Sequence, residues 1–112
     1  MPPPGWPRAL VPAEHEDFEE RAVAWLLDAG PAELRQSSLR QYPIALACYL
    51  RAYIGGALEG ARLAYGQART DLGPHLEAQA LDATLQAVAA EGARLVALQR
   101  EIDLVVEALR RR

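Results

Sequence analysis

Leu81, Val88, Leu95, Ile102 and Leu109 recur every seven residues without a miss in the last third of the chain. A companion series at Leu85, Gly92, Gln99 and Val106 completes a heptad seam, imperfect at Gly92 and Gln99. The pattern commits the segment from about Leu76 to Arg110 to one long helix. A helix with a single apolar stripe is stable only against a partner, so the rest of the chain must supply one.

The partner is the segment from about Pro43 to Leu72. It opens with Ile44-Ala45-Leu46-Ala47-Cys48-Tyr49-Leu50, apolar on all sides, which predicts deep burial of that end. Gly73-Pro74 closes it, and the loop to the next helix is short, so the two helices should lie antiparallel. A shorter helix precedes them, from about Ala13 to Ala29, with Phe18, Ala22, Trp25, Leu26 and Ala29 on one face. The acids Glu14, Glu16 and Asp17 suit the positive end of its dipole. Gly30-Pro31 ends it, the glycine being expected in the left-handed cap conformation. Between them one short helical turn is expected near 32–37, with Ser38 and Gln41 at capping-box spacing. The expectation is therefore an all-α fold, a three-helix bundle dominated by a long antiparallel hairpin. Residues 13–112 form its single domain.

Residues 1–12 hold five of the eight prolines and should run as an extended arm. Trp6 is the residue that would pin that arm to the bundle; a frayed tail is the alternative.

Twenty-two alanines stand against one phenylalanine and one methionine. Alanine favours helix but fills little space, so backbones must approach closely. Ala52, Gly56, Gly60, Ala64 and Ala68 fall at every fourth position of the second long helix, making a ridge of small residues. Each interior glycine costs about 1 kcal/mol relative to alanine, and close helix–helix approach is the expected compensation, with a kink at Gly55-Gly56 as the alternative. The two long helices would each span roughly 45–50 Å, about twice the first. A half-length third helix cannot cover both apolar stripes, so a homodimer is expected. Its packing seam would use Ala52, Gly56, Gly60 and Ala64, or Leu81, Val88, Leu95, Ile102 and Leu109, or both.

Chemistry-bearing motifs are sparse. All twelve cationic residues are arginine, and with no asparagine either, this reads as a GC-rich coding bias. The net charge of -3 argues against a nucleic-acid partner. Its distribution is uneven: seven acids face one arginine from Ala13 to Leu34. Neither His15 nor His75 has the Glu-x-x-His spacing of a bundle metal site. Cys48 sits in the most apolar turn, without the accessible, polar setting a nucleophile needs. One cysteine allows no internal disulfide. The N-terminal segment lacks the charged and apolar runs of a signal peptide, and no segment is apolar enough to span a membrane, so the cytoplasm is expected.

No catalytic residue, metal or cofactor is expected. The chain is read as a non-catalytic scaffold, adaptor or regulatory subunit acting through protein contacts, with itself and with an unidentified protein partner. The alternative is a small-molecule-binding bundle with a pocket near Trp25, Tyr49, Arg51 and Tyr53, where aromatic walls would surround one cationic anchor.

Overall fold

In a computed structural model describing Met1–Arg112, two long helices, α2 (Pro43–Leu72) and α3 (Ala78–Arg110), pair along their lengths. A third, α1 (Phe18–Ala29), packs on one end of the pair. There is no strand, so the chain is the expected all-α hairpin-dominated bundle. No helix is long and apolar enough to cross a membrane.

The α2–α3 seam follows the 3–4 spacing of a coiled-coil stripe on both helices. On α3, Leu85, Leu95, Ile102, Val106 and Leu109 are buried. On α2 the matching series is Ile54, Leu58, Ala61, Tyr65 and Ala68, in which Ile54, Leu58 and Ala68 are buried. α2 is one continuous helix through Gly55-Gly56.

The α1 end carries the main core. Phe18, Ala22 and Leu26, at successive fourth positions, have no exposed surface and meet Leu46, Leu50, Ile102, Val105 and Val106. The N-terminal arm joins this core, folded by turns in which the backbone N–H of Trp6 donates to the Pro3 carbonyl and that of Leu10 to the Pro7 carbonyl, where an extended run was expected. Leu10 is buried, the Trp6 ring lies 5.8 Å from that of Phe18, and Trp6 Nε1 donates to the carbonyls of Leu10 and Val11. Gly5, the one residue with a left-handed φ (84°), turns the arm back over Leu104. The C-terminal residue closes the same end: Arg112 donates to the Ala13 carbonyl at 2.6 Å and sits over the Phe18 ring.

Four further local expectations are corrected. α1 begins at Phe18, not near Ala13, because the preceding chain takes tighter turns: His15 donates its N–H to the Pro12 carbonyl, and Phe18 donates to that of His15. The His15 ring Nδ1 also accepts from the Asp17 N–H, a local bond that competes with helix. α3 begins two residues later than expected, after a turn in which His75 and Leu76 both donate to the Leu72 carbonyl. The α1–α2 connection contains two 3₁₀ turns, Ala32–Gln36 and Ser38–Gln41, and its side-chain cap is Ser37, accepting from Leu39, instead of Ser38. Gly30 is extended (φ -104°), not left-handed. The space beside it is tight: a Cβ would lie 2.6 Å from Leu50 Cδ2 and 3.0 Å from Leu34 Cδ1, so a larger residue there would push the Leu50 side chain aside.

Phe18 joins α1, the arm and Arg112, and truncating a fully buried Phe costs about 3–5 kcal/mol. Urea unfolding of Phe18→Ala should show a loss in that range, and a loss below about 1 kcal/mol would mean that this end is not held through the ring.

Candidate functional site

The contiguous core extends from the α1 end as far as Leu58 on α2 and Leu95 on α3; Ala68 and Leu85 are buried beyond it but stand apart from it. α1 has 12 residues against 30 in α2, about 18 Å of cover for about 45 Å of hairpin. The far half of the pair therefore has no third helix. Leu63 is 60% exposed there and Tyr65 44%.

A groove of about 300 Å³ lies in this uncovered region between α2 and α3. Leu58, Ala61 and Tyr65 form one wall, and Val88, Gly92 and Val96 the other. Ala89 lines its edge, and Arg62 is its one charged residue. The Arg62 guanidinium is already engaged by Glu59 at 2.8 Å, and both side chains remain solvated. A Cβ on Gly92 would meet nothing within 4 Å, so the groove is open above the α3 backbone.

The seam residues named from the sequence divide into two sets. Leu95, Ile102 and Leu109 are consumed in the chain's own core, while Leu81 and Val88 are half-buried in the far half. The ridge Ala52, Gly56, Gly60 and Ala64 is exposed throughout, and a Cβ at Gly56 or Gly60 would meet open space. Only Ala68, its last member, is buried. Within one chain, then, close helix approach does not offset the glycines of the ridge.

Trp25, Tyr49, Arg51 and Tyr53 are not gathered into a pocket, and none of them lines any of the three surface cavities. Tyr49 and Tyr53 stack 6.4 Å apart on the exposed side of α2. Arg51 is two residues from each, and two residues rotate a helix by about 200°, so it points away from both. Trp25 is half-buried against the α1-end core. Helical phase separates residues that are adjacent in sequence, which corrects the expected pocket.

Elsewhere the charges are surface charges. The five ion pairs are all solvated, a class that adds little to stability. Arg94 grips Glu91 through two hydrogen bonds of 2.7 and 2.8 Å. Those bonds hold the Glu91 carboxyl below its usual range and raise the guanidinium of Arg94. No charged or polar side chain is buried, and no three His, Cys, Asp or Glu residues converge. Cys48 is half-buried against the core. Comparison with known protein families, curated proteins and solved structures finds no match to this chain.

The sequence contained a signal for the groove that the small-residue ridge obscured. Ile54, Leu58, Ala61, Tyr65 and Ala68 repeat at alternating spacings of four and three residues, marking the stripe of α2 that faces α3.

Because the ridge glycines face open space, Gly56→Ala and Gly60→Ala should each stabilise the protein by about 1 kcal/mol through helix propensity. Chemical denaturation measures this directly. A loss of stability in either variant would show that another backbone packs on the ridge in solution.

Proposed function

We propose that this chain is a non-catalytic interaction module that works as a homodimer, a scaffold, adaptor or regulatory subunit that holds helical faces in fixed positions. The observation carrying this reading is the size of its surface. The chain exposes 7300 Å², whereas a monomer of its mass is expected to expose about 6,100 Å². The excess of about 1,200 Å² exceeds the roughly 800 Å² per partner of a standard protein–protein interface. The shape agrees: the radius of gyration is 17.0 Å, against about 13 Å for a globular domain of this length.

Two features support contact with a further protein. The outward side of α1 bears Glu19 and Glu20, within an acidic segment that also includes Glu14, Glu16 and Asp17. The N-terminal arm lies across the same end, folded against the bundle. Both are set on a well-packed core, which favours recognition by a surface of fixed shape. We propose a cytoplasmic location, where the lone cysteine would stay reduced.

Light scattering behind a sizing column, over a roughly hundredfold range of loading, tests the dimer by mass action. The expected molar mass is twice the 12.2 kDa of one chain. A monomer persisting at high micromolar concentration would overturn the reading.

A further inference from the structure

Building on the homodimeric reading, we propose that the second copy seats in the α2–α3 groove, antiparallel to the first and related to it by a twofold axis. Three observations converge on that seat.

The first is shape. Small residues, Ala61 and Gly92, occupy the middle of the groove, with Leu58 and Val96 at one end and Tyr65 and Val88 at the other. A twofold axis through the small centre brings the backbones close there. It sends Tyr65 of each copy toward Leu58 and Val96 of the other. Such a surface is complementary to itself, as an isologous interface requires.

The second is charge. The groove's one cationic side chain already has an anionic partner on its own helix, so the occupant need bring no counter-charge. A neutral surface suits a second copy of the same neutral surface. Antiparallel seating also keeps the two acidic segments, 13–34, at opposite ends of a molecule 54 Å long. Their mutual repulsion is then screened over several Debye lengths of about 8 Å each.

The third is area and position. The excess surface, a property of the whole elongated chain, is of the size a stable interface buries. The groove lies where α1 leaves the hairpin uncovered, so a second copy seated there would also cover the helix faces beside it. Two hairpins joined there form a four-helix core across the middle of the assembly. The ridge of small residues on α2 has no feature beyond its smoothness to specify an occupant.

The test compares dimer dissociation constants by sedimentation equilibrium for the wild type, Ala89→Glu and Ala87→Glu. Ala89 lines the groove and is exposed; Ala87 is also exposed and lies two residues away, about 200° around α3. Glutamate is a good helix former, so neither change threatens the helix, and circular dichroism verifies this. Ala89→Glu places like charges in the desolvated contact and should weaken the dimer by at least roughly tenfold, with Ala87→Glu close to wild type. Ala89→Arg should weaken it similarly, and mixing the Glu and Arg variants should restore association. An Ala89→Glu protein as dimeric as wild type, or equal weakening by Ala87→Glu, overturns the groove while leaving the homodimer intact. A wild-type monomer overturns both.

Discussion

Two paired helices can hide only one stripe each, and every other feature of this molecule follows from how that limit is met. α2 and α3 bury leucine, isoleucine and valine against one another, each worth about 1.5–3 kcal/mol when fully removed from water. At the α1 end a second layer is added: α1, the arm and Arg112 cover the flank of the pair, and Phe18 lies where they meet. At the other end nothing is added. Alanine, abundant in both long helices, supplies helix propensity there but little area to bury.

The architecture was legible because it is written in long-range periodicity and in proline–glycine punctuation. The bounds of α2, and the end of α3, fall where the sequence places them. What escaped prediction depended on interactions of a few atoms. The start of α1 is displaced by the tight turns at Pro12 and His15 and by a ring nitrogen accepting from a backbone N–H. Gly30 suggests the usual left-handed cap, whereas it is extended and its surroundings are set by Leu50, twenty residues away in sequence and beside it in space.

The groove was less legible than the fold, for a reason of phase. A helix carries several stripes at once, and α2 has two: a regular ridge of small residues and a less regular seam through Leu58, Ala61 and Tyr65. Regularity made the first conspicuous, yet the second faces α3. Phase likewise separates Arg51 from Tyr49 and Tyr53, since close sequence neighbours on a helix face different ways. Composition alone states how much apolar surface exists and leaves open which neighbour covers it.

The uneven layering has a kinetic counterpart. Stability within a protein is distributed in cooperative units, and segments with few buried contacts open without waiting for the whole. In the free chain, the loop between Leu72 and Ala78 and the adjoining helical turns rely on little more than Ala68 and Leu85 for burial, and Gly66 and Gly73 lower the cost of fraying. Amide protons should therefore exchange in a gradient, fastest at this tip and slowest around Leu50 and Ile102. The hairpin behaves as a zipper anchored at one end, and whatever seats along its free half also sets how often it opens.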